Sequence, residues 1–217
     1  QTCALPICLA PAAATGAALP RRALADLPLD WATESTIGEL VAAAGGGAAE
    51  RHAALAAFHA LPTEANLLFT GYVDLRAAEL GGAKPAALRP AIGELPASAL
   101  PSGAAALIEI RTAGIAAHIG PVAREAGLTI TSMPAATPLA GAGEDRMCAL
   151  IGAFWNVGVR IGLASGSVEA PVIVRFVAPS AGESLVARTA IDLGPSAHLS
   201  LVEGIGGADR KSTRLNS

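Results

Sequence analysis

Apolar positions change their period along this chain. Between 154 and 205 they fall into short runs: Val157-Gly158-Val159-Arg160-Ile161, Val172-Ile173-Val174-Arg175-Phe176-Val177, Leu185-Val186-Ala187-Arg188 and Leu199-Ser200-Leu201-Val202. Each is rich in β-branched residues or leucine, and Gly, Pro and Ser separate them at intervals of roughly 12–15 residues, the pattern of a ladder of strands. Such intervals leave no room for helical crossovers, which argues against an α/β sheet. A sandwich, a barrel and a coiled parallel β-helix all fit the spacing.

Upstream the period is helical. Residues 31–40 and 50–60 read as helices; in the second, Leu55, Phe58 and Leu61 recur at helical spacing and Pro62 ends the run. Gly45-Gly46-Gly47 separates the two. Residues 74–80 form a third candidate, stopped by Gly81-Gly82, and 83–102, with Pro85, Pro90, Pro96 and Pro101, reads as an irregular connection. Strands follow at 107–111, 115–119 and 128–131, with a helical turn at 122–126 and a loop at 134–143. The last helix spans 144–155, where Met147, Leu150, Ile151 and Phe154 mark one apolar face. Helices, a small mixed segment, one helix and then strands to the end give an α+β expectation.

Both termini look like translated sequencing adapter: Gln1-Thr2-Cys3-Ala4-Leu5-Pro6-Ile7 at one end and 209–217 at the other. The expected organisation is therefore an artefact at 1–7, a helical region and linker at 8–102, a mixed α/β segment at 103–143, a helix with the start of the β core at 144–208, and an artefact at 209–217. The C-terminal tail holds Arg210, Lys211 and Arg214 against Asp209. Without it the chain has 12 basic and 17 acidic residues, a net charge of −5.

An acidic chain without a Lys/Arg cluster does not suit nucleic acid or an anionic membrane. With Cys3 set aside, Cys8 and Cys148 are too few and too distant for a disulfide framework or a metal knuckle, which fits a reducing compartment. No uncharged apolar run approaches the ~18 residues that span a bilayer. The expectation is a cytoplasmic protein. Aromatics make up only 3% of the chain, so its core is expected to be built from Ala, Val, Leu and Ile in close backbone packing.

Little in the sequence points to catalysis. His52 and His59 lie seven apart, whereas helical zinc pairs sit three or four apart, so these two, His118 and His198 read as surface or packing residues. Cys148 on an apolar helix reads as a small buried hydrophobe. Gly141-Ala142-Gly143 lacks the strand and third glycine of a dinucleotide loop. Glu144-Asp145 suits a helix start, and Ser165-Gly166-Ser167 and Pro179-Ser180-Ala181-Gly182 read as turns between strands. No residue is therefore expected to be catalytic, to bind a cofactor or to ligate a metal.

Four segments resemble the SufD family. Arg51-His52-Ala53-Ala54-Leu55, Leu61-Pro62-Thr63 and Tyr72-Val73-Asp74-Leu75-Arg76 resemble its N-terminal helical region, which ends in Y-T-D-L-R. Ala149-Leu150-Ile151-Gly152-Ala153-Phe154 with Gly158-Val159 is similar to its LNAAF…DGV step from helix to strand. Residues 171–178 resemble its PIHLxFVA strand, and 198–207 its A-T-L-V-E-S-Y-x-G strand. Asn66-Leu67-Leu68-Phe69 departs from the family's E-A-W-K/R, and Ile151 and Val157 stand where it has Asn and Asp.

The resemblance implies a non-catalytic scaffold subunit: a helical region followed by a right-handed parallel β-helix, here its first rungs. In that family SufD pairs with its paralogue SufB on dimeric SufC, an ABC-type ATPase, to assemble iron–sulfur clusters. The cluster-related His and the ATPase-binding segment would fall beyond Ala208. A rival class is a parallel β-helix enzyme acting on carbohydrate or transferring acyl groups. It would use Glu169, Glu183, Asp192, Glu203 or His198, which show no paired spacing. A β-sandwich binding module is the third class, and it requires antiparallel strands.

Overall fold

A computed structural model describes residues 29–44, 46–61, 80–86, 91–137, 145–180 and 182–206. Its helices are α1 (Glu34–Ala44), α2 (Ala48–Ala60), α3 (Pro121–Glu125) and α4 (Arg146–Phe154). The start of α1 lies three residues later than the apolar pattern implies, because Thr33 caps it: Thr33 Oγ1 accepts the Thr36 N–H at 3.3 Å. Trp31 thereby stays outside the helix. It meets Phe154 edge-on, with ring centroids 5.2 Å apart. Ile37 and Leu40 of α1, Leu55 and Phe58 of α2, and Ala149, Leu150 and Phe154 of α4 share one apolar cluster.

The α1–α2 break falls at the expected glycines. Gly47 has φ 81°, and a Cβ there would lie 2.5 Å from the Ala135 carbonyl oxygen. Both facts call for glycine. The buried face of α4 is rotated from the one expected. Arg146, Ala149, Leu150, Ala153 and Phe154 are buried, while Met147 and Ile151 lie at the flanks of two different clusters. Small alanines at 149 and 153 let α2 approach closely, and this outweighs the size of the two larger side chains.

Ten strands lie among the described residues: β1 (Lys84–Pro85), β2 (Ile92–Glu94), β3 (Ala106–Arg111), β4 (Gly114–Ile119), β5 (Thr129–Ser132), β6 (Val157–Leu163), β7 (Ser167–Val177), β8 (Glu183–Ser184), β9 (Ala187–Leu193) and β10 (His198–Gly206). Strands β1 and β2 lie in the stretch expected to be irregular. They are two and three residues long and pair with β8 and β4, so no local alternation announces them. The run 185–188 also moves: Leu185 and Val186 bridge β8 and β9 instead of opening a strand. Asp74 and its neighbours lie outside the described residues, as do Gly141-Ala142-Gly143, Glu144, Pro62 and both tails.

The strands form three sheets, in the orders β1-β8, β10-β7-β3-β4-β2 and β5-β6-β9. From β6 onward the chain visits them in rotation: the three-stranded sheet at β6, the five-stranded at β7, the two-stranded at β8, then the first two again at β9 and β10. Every ladder strand pairs in parallel with its counterpart from the previous visit. Val157 pairs with Ala187, 30 positions on, and Val172 with Leu201, 29 positions on. An antiparallel sandwich does not have these pairings. Antiparallel contacts occur only upstream among the described residues, at β3–β4 and β5–β6. The fold is α+β.

Inward side chains stack from visit to visit. Ile108, Val159, Ile161, Val172 and Val174 are fully buried in one cluster, the aliphatic core that the composition implies. The β7–β10 register shifts between Val168 and Val172, where Glu169, Ala170 and Pro171 oppose Ser200. Pro171 donates nothing to the ladder, so a bulge is where it fits. Its carbonyl instead accepts the Ala105 N–H at 2.9 Å.

Candidate functional site

The residues with demanding chemistry gather in three places: the seam between helices and strands, the outer face of the five-stranded sheet, and the rim formed by the last strands.

At the seam, α2 supplies Arg51, which is 1% exposed. Its Nη1 donates to the Ala153 carbonyl and its Nη2 to the Trp155 carbonyl, each at 2.9 Å. These are carbonyls at the C-terminal end of α4, where a cation is favoured. Burial first, and then the nearby Arg188, lower the Arg51 pKa to about 10, so it remains charged at neutral pH. The Trp155 ring receives both cations, with Arg51 4.8 Å and Arg188 5.0 Å from its centroid. Arg188 does not face water as its strand parity suggests. It is half-buried, donates to the Thr137 carbonyl at 2.7 Å, and has its pKa lowered by burial.

Asn156, between α4 and β6, is fully buried. Its Nδ2 donates to the Ser184 carbonyl at 2.9 Å and the Ala86 carbonyl at 3.1 Å, and its Oδ1 accepts the Val186 N–H at 2.9 Å. One side chain thus ties the α4–β6 junction to the chain after β1 and to the link between β8 and β9. Nothing in the sequence announces Asn156 or Arg51. Asn156 is a single polar residue in an apolar context and Arg51 sits in the charged run Glu50-Arg51-His52, and their partners lie up to 104 positions away.

On the outer face of the five-stranded sheet, Glu109 is largely buried between two guanidinium groups. Arg175, directly opposite on β7, donates to it at 3.0 Å, and Arg111 pairs with its other oxygen. Thr112 Oγ1 donates to Glu183 at 2.9 Å beside this triad. The arrangement compensates the buried Glu109 carboxylate and locks β3 to β7. It presents no unpaired acid or base.

The rim consists of β8, β9 and β10, each the last strand of its sheet. Ile191 and Leu193 of β9 are both 45% exposed, whereas Ile161 and Leu163, one visit below, are 0% and 1% exposed. Ile205 of β10 is 90% exposed. A hollow of about 460 Å³ opens here, lined by Phe176, Leu185, Ala187, Glu203 and Ile205 among others.

The residues weighed for chemistry are scattered over these elements. His52 pairs with Glu34 on α1, His59 lies beside Phe58, His118 Nδ1 contacts the Leu95 carbonyl at 3.1 Å, and His198 opens β10. Cys148 is partly buried, and its backbone N–H donates to Asp145 Oδ1 at 2.6 Å, which makes Asp145 the N-cap of α4. Glu169 bonds Ser167, and Asp192 pairs with Arg160 at 3.3 Å. Among the described residues no group of three or more His, Cys, Asp or Glu is placed to hold a metal ion. Among the same residues no helix is long and apolar enough to cross a membrane.

Compared with protein-family models the chain matches none, and compared with curated proteins it also finds no match.

Proposed function

We propose that this chain is part of a SufD-like scaffold subunit for iron–sulfur cluster assembly, non-catalytic by itself and working through protein partners. The observation that carries the proposal is the rotation of the chain through three sheets with parallel pairing about every 30 residues, preceded by a helical layer. That is the order of parts the SufD resemblance implies, with β6–β10 as the first turns of a right-handed parallel β-helix. In this reading the partners are a SufB-like paralogue and a SufC-like ATPase, and the iron–sulfur cluster is cargo of the assembled complex.

The β-helix enzyme reading draws less support from the described residues. Glu169, Glu183 and Asp192 each have a hydrogen-bonding or ion-pairing partner. Co-expression of the protein with a SufB-like paralogue and a SufC-like ATPase tests the proposal. Stable co-purification of the three proteins is the expected result. A monomer that ignores both overturns it.

A further inference from the structure

Strand β7 runs past the start of β3. Ala106 pairs with Val172, so residues 167–170 extend beyond that neighbour on one side, while His198 and Leu199 pair with Ser167 and Val168 on the other. On the β3 side a hollow of about 380 Å³ opens between this overhang, residues 103–105 and α3. Ala105, Ala123 and Val168 are its buried lining and belong to the core cluster. Leu100 makes a wall: it stands over Gly120, where a Cβ would meet its Cδ2 at 3.3 Å.

Two observations say what this hollow suits. Val122, in its lining, is 79% exposed, although α3 is only five residues long and offers few other contacts. The other strongly exposed large apolar side chains among the described residues all lie on β9 and β10. An apolar side chain left in water beside an apolar hollow favours an apolar body that covers both. The second observation is charge. Glu169 is the one charged residue in the lining, and Ser167 Oγ donates to one of its oxygens, which leaves the other as an acceptor. No Lys or Arg lines the hollow to compensate it. Nor does an aromatic ring line it, so the cage that recognises a quaternary ammonium is missing, and a cation with N–H donors fits better.

We infer that the hollow between α3 and the overhang of β7 is a binding site for a small primary amine with an apolar body. Its ammonium donates to Glu169, and its hydrocarbon lies against Leu100 and Val122. Ligand sites commonly measure ~300–1,000 Å³, so this one takes a molecule at the small end of that range. The inference does not rest on the scaffold proposal.

The test uses the whole chain and 4-phenylbutylamine, with 4-phenylbutanol and 4-phenylbutanoate as neutral and anionic counterparts. In amide correlation spectra the amine is expected to shift residues 103–105, 122–126 and 167–170 saturably, with a Kd below about 2 mM. The alcohol should bind about threefold more weakly and the carboxylate more weakly still, the size expected for a carboxylate that stays partly in water. Glu169→Gln should bring the amine to the level of the alcohol and leave the alcohol unchanged. Val122→Ser, at an exposed position that folding tolerates, should weaken amine and alcohol alike by about threefold. Equal binding of the three compounds, an unchanged preference for the amine in Glu169→Gln, shifts centred elsewhere, or no saturation by about 5 mM overturns the inference.

Discussion

Arg51 holds Trp155 in two ways: its Nη2 donates to the Trp155 carbonyl at 2.9 Å, and its guanidinium lies 4.8 Å from the centroid of the same residue's ring. The contact joins α2 to the first residue after α4, just before β6. Arg51→Met keeps much of the bulk but strands two carbonyls, and should cost about 2–4 kcal/mol of unfolding free energy. Arg51→Lys keeps the charge without the fork and should lose roughly half as much. Urea midpoints at constant slope measure both, and equal stability of all three proteins would refute this account of the seam.

Asn156 gives a second prediction. Asn156→Ala removes the partners of one N–H and two carbonyls at a fully buried corner. A loss of about 2–4 kcal/mol is expected. Asn156→Asp retains the acceptor for Val186 but turns a second oxygen toward the Ala86 and Ser184 carbonyls. Burial raises that carboxyl's folded pKa above its unfolded value, so the folded state binds the extra proton. The variant should therefore gain stability as pH falls from 7 toward 5, relative to wild type. Thermal melts across that range check the sign.

Gly47 and Gly103 share nearly the same left-handed φ, 81° and 80°, yet only Gly47 has a neighbour where a Cβ would go. Gly103→Ala should cost about 1–2 kcal/mol from backbone strain alone. Gly47→Ala should cost clearly more, because the Ala135 carbonyl must move as well. Equal losses in the two variants would mean that the close approach carries no energy.

Inward positions should differ sharply between successive visits of the chain to one sheet. Val174→Ala opens a cavity in the core and should cost about 2–3 kcal/mol. Ile205→Ser, at a position 90% exposed, should change stability by less than about 0.5 kcal/mol. The same change, or Val202→Lys, should raise the concentration at which the protein stays monodisperse in light scattering, because an apolar free edge invites association. Wild type that is already monodisperse at high concentration would contradict this.

Legibility followed the range of each interaction. Residues 50–60 and 107–111 were readable because an amphipathic helix and a buried strand write their own period into consecutive positions. The ladder beyond 154 was readable as strands, but not in its pairing, since parallel partners 30 positions apart leave only a weak length regularity. Lys84–Pro85 and Ile92–Glu94 were invisible because their strand character exists only beside Glu183–Ser184 and Ile115–Ala117. The rotated face of α4 was missed because Met147 and Ile151 outweigh Ala149 and Ala153 on any hydropathy count, while close packing favours the alanines. Strand parity alone would turn Arg188 toward water, because parity does not register the Trp155 ring beside it.

The pairing of β1 with β8 also sets a clock. Lys84 finds its partner Glu183 only after 99 further residues have been made. At ribosomal rates of about 5–20 residues per second, the segment waits on the order of 5–20 s before its sheet can exist. Until the 72nd of those residues is made, the Ala86 carbonyl has no Asn156 amide to receive. The first half of the chain must therefore be tolerated half-made by the cell that synthesises it.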